Sequence, residues 1–143
     1  METGWWFVGV DLGQSRDFTA LAVLERAELT GEFDPAMFAW RKKIALRLRC
    51  LERAPLGTPY PEIVERVRRT TRAPELAGRC NVAVDATGVG RPVVDLLRVA
   101  RLGATMMPAI ITGGAAESLN NGYYSVPKRD LITGLQVLLQ RGG

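Results

Sequence analysis

Two short apolar runs of this chain each end in an aspartate that is followed by a glycine-bearing turn. Residues 5–10 lead to Asp11 and then Gly13, and residues 82–84 lead to Asp85 and then Gly88. A carboxylate at the end of a buried strand is costly unless an opposite charge balances it. Two such strands therefore predict a shared cation. The alternative is that each aspartate only caps a turn or a helix, as short acidic residues commonly do.

A third acid, Asp130, opens the last predicted helix. The dipole of that helix also favours an acid in its first turn, so this position has a purely structural explanation as well. Taken with Asp11 and Asp85, it favours a carboxylate metal site. Oxygen ligands select hard cations, which makes Mg²⁺ or Mn²⁺ the expected ion. The chain contains no histidine, which excludes a Ser-His-Asp triad, a histidine base and histidine-bound zinc or haem.

Composition predicts one intracellular domain. With 143 residues, 47% of them hydrophobic, the chain is long enough for one ordinary core. The net charge of +4, supplied mainly by arginine, is compatible with a phosphate-bearing partner. Cys50 and Cys80 stand apart, without metal-ligand spacing. No apolar stretch approaches the roughly 20 residues of a membrane helix, so we expect no membrane partner.

Apolar periodicity predicts the order strand, strand, strand, helix, strand, helix, strand, helix. Strands are expected over residues 5–12, 18–25, 37–51, 80–85 and 104–112, and helices over 61–73, 91–101 and 127–140. Residues 113–122 are expected to form a flexible polar stretch. The predicted fold is α/β: a mixed five-stranded sheet, with three antiparallel strands and then crossover-linked strands, flanked by helices.

Three motifs carry a resemblance to a known family. They are Gly9-Val10-Asp11-Leu12-Gly13, with Asp17, Thr19 and Ala20 after it; residues 84–90, with residues 94–97 after them; and Lys128-Arg129-Asp130-Leu131. In this order they resemble the ribonuclease H-like superfamily, and most nearly the nuclease domain of phage terminase large subunits. The resemblance covers nearly the whole chain and implies one ribonuclease H-like nuclease domain over residues 1–143, cut from a longer protein.

The resemblance also implies roles for particular residues. Asp11, Asp85 and Asp130 would be catalytic ligands of two Mg²⁺ or Mn²⁺ ions, with Asp17 in support. Lys128 and Arg129 would meet substrate phosphate, although solvated charge is the simpler interpretation of both. The substrate would be DNA, cut during genome packaging in the cytoplasm of a bacterial host. An ATPase motor domain and other packaging subunits would be partners; no Gly-x-x-x-x-Gly-Lys-Ser/Thr loop occurs here, so the chain corresponds to the nuclease part alone.

Two other functions fit parts of the pattern. In an actin-like or sugar-kinase-type ATPase fragment, the loops after Asp11 and Asp85 would cradle phosphate. Asp130 distinguishes the two, because only the nuclease requires an acid facing Asp11. In a catalytically inactive nucleic-acid-binding module, a cluster of carboxylates would repel the phosphates that the module has to bind.

Overall fold

In the computed structural model, residues 3–13, 16–88 and 91–140 are described. They form seven strands and three helices in the order β1 Thr3–Asp11, β2 Ala20–Asp34, β3 Ala39–Arg53, α1 Tyr60–Thr71, β4 Cys80–Asp85, α2 Arg91–Val99, β5 Thr105–Thr112, β6 Ser118–Asn120, β7 Tyr123–Pro127 and α3 Lys128–Gln140. The predicted α/β class, with a mixed sheet flanked by helices, is confirmed.

All seven strands belong to one sheet, in the order β3-β2-β1-β4-β5-β7-β6. The four strands β1, β4, β5 and β7 are parallel to one another, while β2, β3 and β6 run antiparallel to their neighbours. The chain reaches β4 only after β2, β3 and α1, yet β4 lies directly beside β1. This crossover places the carboxyl ends of β1 and β4 next to each other.

The prediction of five strands was wrong, because the segment expected to be flexible contains β6 and leads into β7. These strands form a hairpin in which Asn120 pairs with Tyr123 across the two-residue turn Asn121-Gly122. Both turn residues have positive φ, 53° for Asn121 and 79° for Gly122, as a type I′ turn requires. The Asn-Gly pair was therefore the missed signal. Pro127 pairs with Thr112 as the last residue of β7, so the final helix begins at Lys128.

The core lies between the sheet and the helices α1 and α2. Alternate residues of β1 and β4, such as Val8, Val10, Val82 and Val84, are buried in one cluster with apolar side chains of both helices, among them Ile63, Val67, Val93 and Leu97. Because side chains alternate along a strand, Gly9, Asp11, Ala83 and Asp85 face the opposite side of the sheet. The two aspartates thus lie on the face away from this core.

The face that carries the aspartates is much less covered. Helix α3 follows β7 on this side, and none of its residues is buried. Its apolar stripe is exposed along its length: Leu131, Ile132, Leu135, Leu138 and Leu139. Leu131 lines a cavity of about 300 Å³ together with Asp11, Asp85 and small residues of the sheet. The site is therefore open to a large molecule.

Two groups of basic residues on β3 have different surroundings. In the first group, Arg47 and Arg49 hold Glu25, whose side chain is 12% exposed. Arg49 Nε donates to Glu25 Oε2 at 2.6 Å, and Arg47 Nη1 lies 3.7 Å from Oε1. The other group, Arg41, Lys42 and Lys43, lies exposed near the end of the hairpin formed by β2 and β3.

We expect Arg49→Ala to lower the free energy of unfolding by about 1–2 kcal/mol, because it removes the closer partner of a nearly buried carboxylate. Urea unfolding at neutral pH measures the change. Arg68→Ala, which breaks the exposed pair with Glu65, is the matched control and should cost no more than about 0.5 kcal/mol. Equal losses in the two variants would contradict this account of Glu25.

Candidate functional site

Asp11 and Asp85 are neighbours at the same edge of the sheet. They form the last registered pair of the parallel strands β1 and β4, and neighbouring strands lie about 4.8 Å apart. Leu12 N–H donates to the Asp85 carbonyl oxygen at 3.3 Å, which continues the pairing just past the strand ends. The structure therefore brings together two of the three predicted ligands.

Thr87 orients the Asp85 carboxylate. Its backbone N–H and its hydroxyl both donate to Asp85 Oδ1, at 3.0 and 2.5 Å. The Thr87 hydroxyl in turn accepts the backbone N–H of Ile111 at 2.8 Å, which ties the turn to β5. Thr87 was not among the predicted site residues. The available signal was the Asp-x-Thr spacing, since an aspartate commonly bonds the backbone two residues on.

A second set of contacts holds the loop after Asp11. Gly13 N–H donates to Thr19 Oγ1 at 3.0 Å, and the Tyr60 hydroxyl donates to the Gly13 carbonyl oxygen at 2.8 Å. Tyr60 opens α1, so it connects this loop to the helix that covers the other face of the sheet. No sequence pattern marks Tyr60 for this role, because its partner lies 47 residues away.

Partial burial, together with the negative charge nearby, raises the pKa of Asp11. The largest cause is partial burial, although the residue remains accessible to solvent; repulsion from Asp85, a side-chain hydrogen bond with Asp85 and the charge of Asp17 add to it. A positive charge bound beside Asp11 and Asp85 would therefore stabilise their ionised carboxylates. Asp17 lies near enough to contribute to the charge of the site, as its predicted supporting role requires.

In metal-free protein, we expect Asp11→Asn to raise the melting temperature at pH 7. The pKa of Asp11 is higher in the folded than in the unfolded chain, so its proton stabilises the fold fully below about pH 4 and this contribution is lost as the pH rises through the folded pKa. The gain from Asp11→Asn should therefore disappear below about pH 4. Thermal melts across this range in EDTA measure it, and a gain that does not depend on pH would contradict it.

The start of α3 lies at the same edge of the sheet. Lys128 lines a cavity of about 410 Å³ with Asp85, Thr87 and Ile111, and Leu131 lines the neighbouring cavity with both aspartates. With 3.6 residues per turn, Asp130 lies about 100° from Leu131 and about 160° from Lys128 around the helix axis. Asp130 is exposed, and its carboxylate lies 4.0 Å from Arg129 Nε. Its role as a third ligand stays a prediction.

The carboxylate oxygens of Asp11 and Asp85 are suitable ligands for a hard divalent cation. Carboxylate oxygens are the ligands that Mg²⁺ and Mn²⁺ prefer, and their mutual repulsion would be relieved by the ion. Within residues 3–13, 16–88 and 91–140, no three His, Cys, Asp or Glu side chains form a group that could hold a metal ion. Mg²⁺ is commonly held by one or two carboxylates, with waters and substrate phosphates as its other ligands.

Small side chains form the floor beside the carboxylates. The wall of the cavity of about 300 Å³ includes residues on the central strands whose side chains are hydrogen or methyl, namely Gly9, Ala20, Ala22, Ala83 and Ala109. Apolar side chains of β3, β5, β7 and α3 complete it, including Leu51, Ile111, Val126 and Leu131. The floor of the cavity beside the two carboxylates is therefore formed by small side chains.

Among the helices of the described residues, none is long and apolar enough to cross a membrane. No protein-family model, curated protein or solved structure matches this chain.

Proposed function

We propose that this chain is a metal-dependent endonuclease domain that hydrolyses DNA phosphodiester bonds with a ribonuclease H-like arrangement of carboxylates. We further propose that it is the nuclease domain of a phage terminase large subunit, with an ATPase motor domain and packaging subunits as partners. The observation that carries the proposal is the register of Asp11 with Asp85 at the carboxyl ends of adjacent parallel strands.

The strand order supports this assignment. A nuclease of the ribonuclease H-like kind needs acids from the first and fourth strands at one edge of the sheet, and the β1–β4 pairing supplies both. The site faces an open surface, as cleavage of a long polymer requires. Lys128 beside Asp85 and Thr87 places a cation where a substrate phosphate would lie.

Each side chain has a defined task in this proposal. Two bound Mg²⁺ or Mn²⁺ ions would supply an activated water and stabilise the leaving oxygen. Asp11 is the candidate ligand shared between them, and Asp85 is a ligand whose oxygen Thr87 keeps oriented. Lys128 and Arg129 neutralise phosphate charge, and Asp17 adds to the negative potential that attracts the ions.

Cleavage of supercoiled plasmid DNA tests the proposal. The purified chain is incubated with Mn²⁺, Mg²⁺ or EDTA, and Mn²⁺ binding is measured in parallel by calorimetry. We expect conversion to nicked and then linear DNA with either metal and none with EDTA. Absence of both cleavage and Mn²⁺ binding would overturn the proposal, and ATP binding in that case would favour the actin-like alternative.

A further inference from the structure

The hairpin of β2 and β3 extends past the rest of the sheet and ends in exposed aromatic side chains. Within residues 3–13, β1 pairs with β2 between Ala20 and Glu28, whereas β2 and β3 continue to pair as far as Asp34 and Ala39. We define the hairpin tip as seven residues of this two-stranded projection: Phe33, Met37, Phe38, Trp40, Arg41, Lys42 and Lys43. The predicted second strand, residues 18–25, stopped short of this projection.

The aromatic side chains of the tip contact one another while remaining open to solvent. Phe33 packs edge-on against Phe38 and Trp40, with ring centroids 5.6 and 5.3 Å apart. Phe38 is 86% exposed, Met37 76% and Trp40 61%. Phe33 therefore contacts both other rings, and most of the surface of Phe38 and Trp40 is left accessible to a partner.

The turn that carries these rings is held in one conformation. Asp34 Oδ1 accepts the backbone N–H groups of Ala36 and Met37 at 3.0 and 3.4 Å. The other oxygen, Oδ2, lies 3.6 Å from Arg41 Nη2. Phe38 has a φ of 49°, a left-handed conformation that is costly for a bulky side chain. An aromatic residue kept in a strained backbone and exposed to water indicates a function rather than a folding role.

The charge of the tip selects the class of partner. Arg41, Lys42 and Lys43 follow Trp40 directly. Arg41 pairs with Asp34, and the two exposed lysines outnumber Glu32, the other acid of the projection. Aromatic rings beside a run of cations match a polyanion that carries flat apolar groups, which describes a nucleic acid. A membrane surface would favour a larger apolar area than three rings and one methionine.

We propose that the hairpin tip is a second DNA contact, in which Phe38 and Trp40 stack on bases and Lys42 and Lys43 bind phosphates. This inference rests on the proposed nuclease function for the identity of the substrate. Ala20, which lies opposite Asp11, and Phe33 are 13 residues apart along β2, so the tip is about 40 Å from the carboxylate pair. A DNA that reaches both regions spans about 12 base pairs.

Fluorescence anisotropy with labelled DNA tests the contact separately from cleavage, because EDTA is present throughout. Single-stranded and duplex DNA are compared, each about 10 and about 25 nucleotides or base pairs long. The comparison distinguishes stacking on unpaired bases from insertion into the DNA duplex. We expect Phe38→Gly and Trp40→Ala each to weaken binding to at least one form by roughly 5-fold to 100-fold. The effect on duplex DNA should be largest for lengths above about 12 base pairs.

Two further variants separate the charge from the rings. Replacing both lysines, Lys42→Ala with Lys43→Ala, should reduce the slope of log affinity against log salt by about 1–2. Leu139→Ala and Arg69→Ala remove an exposed apolar and an exposed basic side chain elsewhere, and both should bind DNA like the wild type. Phe38→Gly relieves the backbone strain, so its melting temperature should stay the same or rise while its affinity falls.

Unchanged DNA affinity in Phe38→Gly and Trp40→Ala would overturn the inference. Sedimentation velocity supplies the competing result: a wild-type dimer that dissociates in Phe38→Gly, with DNA affinity unaffected, would make the tip a contact between copies of this chain. If the wild type binds DNA without cleaving it, and the Phe38→Gly and Trp40→Ala variants lose DNA affinity, the inference about the tip is supported. The nuclease proposal then fails separately.

Discussion

The Asp11→Asn and Asp85→Asn variants are each expected to lose metal-dependent cleavage of plasmid DNA by about a thousandfold or more. Each substitution removes a charged ligand and leaves an amide that binds Mg²⁺ or Mn²⁺ much more weakly. Both side chains lie at the end of the same pair of strands, so the loss should be similar. Because the two residues act as a unit, their effects should not add, and the double variant should lose about as much activity as either single variant.

The measurement is the initial rate of plasmid nicking, with folding checked by thermal melts. Asp95→Asn is the matched control, since Asp95 is an exposed acid on α2 and should leave the rate unchanged. Asp130→Asn tests the third predicted ligand: a loss comparable to that of Asp11→Asn would support the role, and a wild-type rate would remove it. Full activity of Asp11→Asn or Asp85→Asn would rule out catalysis at this pair.

Gly13→Ala is expected to be the most destabilising small substitution at the site, by about 3 kcal/mol or more. A Cβ at this position would lie 2.2 Å from the Asp17 carbonyl oxygen and 2.6 Å from the backbone carbon of Phe18. Backbone atoms cannot move aside as a flexible side chain does, so the loop after Asp11 would have to open. The hydrogen bonds from Gly13 to Thr19 and from Tyr60 to Gly13 would weaken with it.

Urea unfolding compares this variant with Gly134→Ala, which makes the same chemical change within α3. A Cβ at Gly134 has no atom within 4 Å, and alanine is favoured over glycine inside a helix by about 1 kcal/mol. Gly134→Ala should therefore stabilise the protein. Similar effects of the two substitutions would show that the Gly13 loop is not tightly packed. Cleavage by Gly13→Ala should fall further than its stability explains, because the loop positions Asp11.

Local pattern was enough to predict the elements that define the site. Continuous apolar runs marked β1 and β4. The acid at the end of each strand was identified because buried strands rarely end in charge without a reason. The class of fold followed from the alternation of strands with helices after β3. These features depend on neighbouring residues only, so they can be read without knowing where the chain returns in space.

The hairpin elements were predicted less well, although their signals were local. The Asn121-Gly122 turn was passed over because the surrounding residues are polar and rich in glycine. Strand β2 was ended too early, at residue 25, whereas the strand continues to Asp34. Both errors came from weighing composition above the pairing that an adjacent strand makes available.

The amino-acid sequence alone decided which acids end buried strands, where the helices form and that histidine chemistry is absent. Tertiary structure decided that Asp11 and Asp85 are adjacent, since their pairing depends on a crossover of 68 residues, 12–79, between the two strands. It also decided the roles of Thr87 and Tyr60, whose hydrogen-bond partners are backbone groups of distant segments. Hydrogen bonds and burial between distant segments leave no periodicity in a sequence, and the chain acquires them only when the sheet assembles.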